Sequence, residues 1–373
     1  MLARVTKCLA AVAAVLLLGG AGQSCGEPGR LCASAAPVAS APQRIVLMLP
    51  LRADGLRDAA EAVRDGFMTA WQRDQAGFTV EVVETGGGQQ EALDAYRAAV
   101  DKADLVVGPL ARSAVAAVAA SPAAGKPTIA LNTPGPDAAP LPAHMLSIGL
   151  SLDEDARRIA DWADNALPQG KALIVSGAAP WQRRVAAAFL AQWRGLGRAA
   201  ADLELDTSLG RIADDSLAQL PQLVQQEKIA LVFVALEPEQ AREVRGACGV
   251  DLPFFATAAA NPGRNPGLPL VELNGMRLLD LPWELQPDHP AVMAYPRRPV
   301  YELAPDLDRL YALGIDSYRL ARELLLHPGQ PVRLDGVTGL LSVRPANGVL
   351  HFERRASTAT YRLGGFDNVS AIP

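Results

Sequence analysis

The chain has 373 residues, 50% of them hydrophobic and 20% charged, with a formal net charge of −5. Such a composition excludes a disordered protein, and the length suits two domains or one two-lobed body. The acid excess, the absence of any Lys/Arg run longer than two residues and the lack of zinc-ligand spacing exclude nucleic-acid binding.

Met1–Lys7 is basic and Cys8–Ala21 apolar, a span of roughly 21 Å as helix against a hydrocarbon core of about 30 Å. This predicts a signal peptide over residues 1–24 rather than a membrane span, and export to an oxidising compartment. Losing Arg4 and Lys7 with that leader takes the net charge to about −7. Cys25 is the candidate lipidation site. Gly22-Gln23-Ser24 stands before it, where bacterial lipoproteins carry a Leu-small-small triplet. With lipid on Cys25, Cys32 and Cys248 remain; without it, Cys25 and Cys32 could close a small loop, with Cys248 free and buried. Residues 25–43, ending in the Ala/Ser/Pro-rich ASAAPVASAPQ, read as a flexible tether.

From Arg44 the chain alternates strands and helices. Ile45–Leu49 is continuously apolar, as a strand covered on both faces requires, and Pro50 ends it. Asp54 is placed to cap an amphipathic helix with Leu56, Ala59, Ala60, Val63, Phe67, Ala70 and Trp71 on one face. Phe78–Glu84, Leu105–Val107 and Pro127–Leu131 read as strands, with helices over Gln90–Lys102 and Ser113–Ala120 between them. Near Leu150 the rhythm restarts. Helices are expected over Asp153–Ala166, Trp181–Arg194, Asp214–Gln226 and Glu239–Ala247, with strands at Ala172–Val175, Leu203–Leu205, Ile229–Val234 and Phe254–Ala256. After a loop at Ala260–Pro269, Met276–Leu281 offers another strand. Glu284–Pro305 is Pro-rich and too long for an ordinary connection, so it reads as an exposed loop. A helix capped by Asp306 follows, then a hairpin around Asn347-Gly348 and a strand at Ala359–Leu363, a terminal antiparallel piece on one sheet edge. Alternation of this kind implies parallel sheets with helices on both faces.

Motifs that could carry catalysis fail on context. Gly22-Gln23-Ser24-Cys25-Gly26 has the letters of a nucleophile elbow but lies at the leader's end. Gly195-Leu196-Gly197-Arg198-Ala199-Ala200 has the letters of a dinucleotide fingerprint, yet it closes a helix and precedes a strand, the reverse of what binds phosphate. His144, His289, His327 and His351 have no partner at ligand spacing, and Asp153-Glu154-Asp155 complements a helix dipole. No catalytic residue, metal or cofactor is expected.

The segments IVLMLPL, DGF, LVVGPL, PTIALNTP, IGLSLDEDARRIA, ALIVSGAAPWQRRVAAAF, PFFATA, LLDLPW, DLDRLYALGIDSYRLA and GVTGLLSV, in this order and spacing, resemble the LppC family. The resemblance covers about Arg44 to Gly364. It implies an α/β fold of the type I periplasmic-binding-protein kind, two lobes each with a parallel sheet flanked by helices. Three crossings, near Leu150, Val271–Met276 and His327–Leu334, would form a hinge. Lobe 1 would comprise residues 44–149 and 274–327, and lobe 2 residues 150–273 and 328–373. The family comprises outer-membrane lipoproteins of Gram-negative bacteria that activate class A penicillin-binding proteins, the bifunctional peptidoglycan synthases. It implies a non-enzymatic activator in the periplasm, anchored by an N-terminal lipid. The helical-repeat domain that precedes this segment in the best-known members is missing from the sequence.

The alternative is a solute receptor closing on a small ligand such as an amino acid. Ligands of open α/β sheets bind past the carboxyl ends of strands, which makes Leu51, Arg52, Gly108, Pro109, Asn132, Thr133, Trp181, Thr257 and Trp283 the candidate cleft residues. Where amino-acid receptors carry hydroxyl residues after the glycine, this chain has Pro109, Leu110 and Ala111. Tyr295, Arg297, Arg298 and Tyr301 of the Pro-rich segment have the Tyr/Arg composition of interface hot spots and are the candidate partner contacts.

Overall fold

The computed structural model describes residues 42–74, 77–123, 125–135, 138–167, 169–207, 211–263, 270–298, 304–363 and 365–371. The leader, the tether, Cys25, Cys32 and Tyr301 lie outside the described residues.

Strand β1 (Gln43–Leu49) sends Ile45, Leu47 and Leu49 into one core and Val46 and Met48 into another. Both faces are covered, so every inner residue is apolar. Helix α1 (Arg57–Arg73), β2 (Phe78–Glu84), α2 (Gln89–Val100), β3 (Leu105–Val107), α3 (Arg112–Ala119), β4 (Thr128–Ala130) and β5 (Met145–Ser147) follow. The strands form a parallel sheet in the order β2-β1-β3-β4-β5, with α1 on one face and α2 and α3 on the other. Asp54 does not cap α1, which starts after Leu56 with no side-chain cap.

A second sheet is built from α4 (Leu152–Ala166), β6 (Lys171–Ser176), α5 (Pro180–Gly195), β7 (Ala200–Glu204), α6 (Asp214–Ala218), α7 (Leu220–Gln226), β8 (Ile229–Ala235), α8 (Pro238–Cys248), β9 (Phe254–Ala256) and β10 (Met276–Asp280). Helices α4 and α5 cover one face, α7 and α8 the other. Ser151 caps α4, its hydroxyl accepting from Glu154 N at 3.3 Å. The single helix expected over Asp214–Gln226 is two, because Pro221 sits at a first turn, where its missing N–H is tolerated.

The chain then returns to the first lobe through α9 (Pro282–Leu285), α10 (Pro290–Met293), α11 (Pro305–Leu326) and an antiparallel sheet of β11 (Val332–Asp335), β12 (Leu340–Ala346) and β13 (Val349–Arg355). Helix α11 starts after Ala304, not on an Asp306 cap. It packs lengthwise on α1, and the approach depends on two glycines: a Cβ on Gly66 would overlap the Tyr311 carbonyl oxygen, and one on Gly314 that of Val63. Last, β14 (Ser357–Arg362) and β15 (Gly365–Ala371) extend the second sheet as its antiparallel edge, giving the order β15-β14-β10-β9-β8-β6-β7.

The first crossing between sheets falls at residues 148–151, beside Leu150. The other two move. Strand β10 pairs with β9 in parallel, so Met276–Asp280 belongs to the second sheet and the crossing comes at Leu281 rather than Val271–Met276. Strands β11 and β12, with the loop between them, pack on the first-lobe core through Val332, Val337 and Val343, so the third crossing is at Ala356 rather than His327–Leu334. An apolar run shows that a strand is buried but not which sheet takes it.

Candidate functional site

The carboxyl ends of both parallel sheets frame a cleft. On the first-lobe side, Gly108 N donates to Ile129 O (2.8 Å), the Gly108–Pro109 peptide is cis, and the Pro109 carbonyl accepts from Leu131 N (3.0 Å). Asn132 spends its amide internally: Nδ2 donates to Leu110 O (3.1 Å) and Oδ1 accepts from Thr133 N (2.9 Å). Beside it lies a pocket of 700 Å³ with walls of Leu56, Ala59, Leu110, Ala116 and Leu310. This half of the cleft is largely apolar, with Arg112, Ser113 and Asn132 as the polar side chains on its wall. Ligand pockets fix orientation with a few convergent polar groups, and Asn132, the amide on this wall, is already engaged.

The second-lobe side is a pocket of 490 Å³ lined by Leu152, Trp181, Glu237 and Asn261, with Pro305, Asp306 and Arg309 from the first turn of α11. The amino end of a first-lobe helix therefore sits on the strand ends of the second lobe. Arg309 anchors it there, donating to the Ala258 carbonyl (2.9 Å) and to Asp280.

The structure disperses the predicted cleft residues. Asn132 lines the first pocket, Trp181 the second, and Thr133 a third cavity beside the crossings. Leu51 and Trp283 are buried in the first-lobe core instead. Arg52 is exposed and ion-paired with Glu91. Thr257 is fully buried, its hydroxyl without a hydrogen-bond partner among the described residues.

Over its described residues, 284–298 and 304–305, the Pro-rich segment is not an open loop. Pro290 starts the short helix α10 and Pro305 the long helix α11, and His289 Nδ1 accepts from Ala291 N (3.3 Å) to cap α10. Tyr295 is half-buried against the first-lobe core, with the Arg73 guanidinium 5.5 Å from its ring centre, and burial raises its phenol pKa. Arg297 lies over Trp283, 3.9 Å from the ring centre, and donates to the Trp283 carbonyl (2.5 Å). Arg298 is half-buried. The expected exposure of these three residues is thus wrong, because Tyr and Arg pack apolar bodies and cation–π faces as readily as they serve interfaces.

Sequence reasoning missed a set of charges around the crossings. Arg354 on β13 donates to the carbonyls of Ile148 (2.5 Å) and Gly149 (2.9 Å), and Arg158 on α4 donates to the Arg354 carbonyl (2.5 Å). Burial pulls the Arg354 guanidinium down to about 10. Asp155 on α4 is pushed up to about 7 by burial, against the lowering pull of Arg158 and Arg354. Asp316 on α11 accepts from Val337 N (3.1 Å), Thr338 N (2.7 Å) and Thr338 Oγ1 (2.7 Å), tying that helix to the loop before β12. Asp155, Arg158 and Asp316 lie in segments that carry the family resemblance, but Arg354 does not, and nothing in those segments marks the contacts among them. Cys248 is free and buried, its thiol pushed up to about 11. Among the described residues, no group of three or more His, Cys, Asp or Glu side chains is placed to hold a metal ion, and no helix is long and apolar enough to cross a membrane.

Comparison with known proteins agrees with this architecture. The penicillin-binding protein activator LpoA of Vibrio cholerae serotype O1 is 26% identical over 339 residues, 81% of this chain and 54% of the relative. LpoA of Haemophilus ducreyi is 25% identical over 346 residues, 87% and 54% of the two chains. The chain thus spans about half the length of these curated relatives. Among solved structures it is similar to the C-domain of LpoA from Haemophilus influenzae, described as a regulator of PBP1A, with TM-score 0.65 and 22% identity over 89% of this chain and all of that one. It is also similar to a protein of Chromobacterium violaceum named as a putative branched-chain amino acid ABC transporter, with TM-score 0.69 and 34% identity over 86% of this chain and all of that one. The family described as "LppC putative lipoprotein" matches residues 37–364, from ahead of β1 to the end of β14, and the chain belongs to the LppC family.

Proposed function

We propose that the chain is a non-enzymatic activator of a class A penicillin-binding protein, regulating peptidoglycan synthesis by protein contact. The observation that carries this reading is the first-lobe wall of the cleft, largely apolar and with its Asn132 amide satisfied internally. The curated relatives named as penicillin-binding protein activators support it. In this reading the leader directs the chain to the periplasm and Cys25 carries the lipid that anchors it to the outer membrane. The partner surface runs through Met293 and Arg298, with Tyr295 and Arg297 holding the segment in place; Met293 is 64% exposed on α10, and Tyr301 lies outside the described residues.

Biolayer interferometry of the chain on the immobilised ectodomain of the class A penicillin-binding protein from the same organism tests this. Saturable binding that Met293→Asp weakens is expected; no binding would overturn the proposal. A second reading, a solute receptor, is favoured by the 34% identity to the Chromobacterium violaceum protein and by the size of the apolar pocket. Native mass spectrometry of protein purified from its own envelope separates the two, since a receptor would carry a stoichiometric small ligand.

A further inference from the structure

A third cavity, of 640 Å³, opens beside the crossings, and all three contribute to its wall: Leu150 and Ser151, Leu281, and Arg354 with Ala356. Leu281, Phe352 and Ala188 give it an apolar portion. Its charge is unbalanced, five arginines against three acids. Arg184 is paired with Asp153 (2.8 Å), and Arg157 (3.1 Å) and Arg158 (3.5 Å) share Glu154. Arg112, half-buried at the start of α3, has no hydrogen bond or ion pair among the described residues. Arg354 is 8% exposed, and its Nε has no hydrogen-bond partner there either, although its two other nitrogens hold the first crossing. A buried charged donor left unmet is costly, and an acceptor brought by a ligand would relieve that cost.

We propose that this cavity binds a small organic anion, a carboxylate or phosphate ester with an apolar body, its head held by Arg112 and Arg354. Both lobes and every crossing contribute to the wall, so a ligand that favours one lobe angle stabilises it by its differential affinity. Asp155 lies on the same wall and has no ion pair among the described residues. It faces Arg158 and Glu154 on its own helix, Arg354 on β13 and Asp280 on β10. Its carboxylate opposes an anion, and that opposition fades as it takes up a proton below about pH 7.

Calorimetric titration of the full chain tests the site without any partner protein, so its outcome is independent of the activator reading. The probes share one body: 3-phenylpropionate and phenyl phosphate as anions, 3-phenylpropionamide as the neutral control and 3-phenylpropylamine as the cation. At least one anion is expected to saturate at millimolar concentration or below, more tightly at pH 6 than at pH 8, and the tighter head assigns the class. Arg112→Ala, a change at a half-buried unpaired side chain, should weaken it about tenfold or more, with partial recovery in Arg112→Lys. Amide exchange at residues 148–151 and 354–357 should slow on saturation. Equal binding of the amide or the amine, an unaffected Arg112→Ala variant, or no anion binding at all would overturn the site. Binding with unchanged exchange at the crossings would overturn the coupling to the lobe angle.

Discussion

Arg309 grips Asp280 through two hydrogen bonds, Nε to Oδ1 at 3.0 Å and Nη2 to Oδ2 at 2.6 Å, with side-chain exposures of 8% and 0%. Arg309 belongs to α11 and Asp280 ends β10, so the pair joins the first lobe to the second at the middle crossing. Asp280 also accepts from Asn261 Nδ2 (2.8 Å) and Leu281 N (2.8 Å), so its carboxylate is fully engaged. Burial works to lower the Arg309 pKa, and the attraction of Asp280 outweighs it and raises the value above the ordinary one. A helix bonded in this way across the cleft mouth favours a fixed lobe angle.

Removing one partner of that pair leaves the other charge buried and unpaired. Arg309→Ala or Asp280→Ala is expected to lose about 3–5 kcal/mol in urea unfolding. The double change Arg309→Met with Asp280→Leu should recover much of the loss, since buried pairs replaced by apolar groups of similar volume are often tolerated.

The contact of α1 with α11 makes a second prediction. Gly314→Ala drives a methyl group into the Val63 carbonyl and Gly66→Ala one into that of Tyr311. Each should cost about 1–3 kcal/mol through forced backbone shifts. Both glycines are helical, so propensity alone would have alanine stabilise by about 1 kcal/mol, and unfolding measurements will show which effect wins.

Tyr295→Ala is expected to destabilise by about 1–2 kcal/mol, because the ring packs on the first-lobe core and under Arg73. Met293→Asp, on the exposed face of α10, should change stability by no more than about 0.5 kcal/mol. Thermal unfolding of the two variants checks the contrast.

Asp155 gives the fold a pH dependence of definite sign. Its folded pKa, about 7, lies above the unfolded value of 3.8, so between these values the folded state binds more protons and stability falls as pH rises. Asp155→Asn should therefore stabilise most above pH 7 and progressively less towards pH 4. The gain at pH 8 is expected to be about 1–2 kcal/mol, below the full equivalent of the shift because the side chain keeps some contact with water. Unfolding midpoints of both proteins across that range provide the check.

The elements were legible wherever local pattern decides them. Phe78–Glu84, Leu105–Val107 and Phe254–Ala256 are strands over the residues their sequence indicates. Caps and crossings were not, since Asp54 and Asp306 stand where a cap could form but the backbone starts its helices elsewhere, and Met276–Asp280 fits either sheet until its partner strand is known. The short strand Met145–Ser147 and the edge strand Gly365–Ala371 carry too little pattern to be seen. The charged groups at the hinge escaped for a different reason. Arg354 meets Gly149 across 205 residues of chain, and no local spacing records such a contact.

Stimulation by contact is tested most directly by glycan-chain polymerisation. The class A penicillin-binding protein of the same organism would be assayed on lipid-linked precursor, alone and with increasing amounts of the chain. A saturable rise in polymerisation rate is expected, abolished or much reduced by Met293→Asp while the variant unfolds at the same temperature as the unmutated protein. An unchanged rate at saturating concentrations of the chain would contradict it.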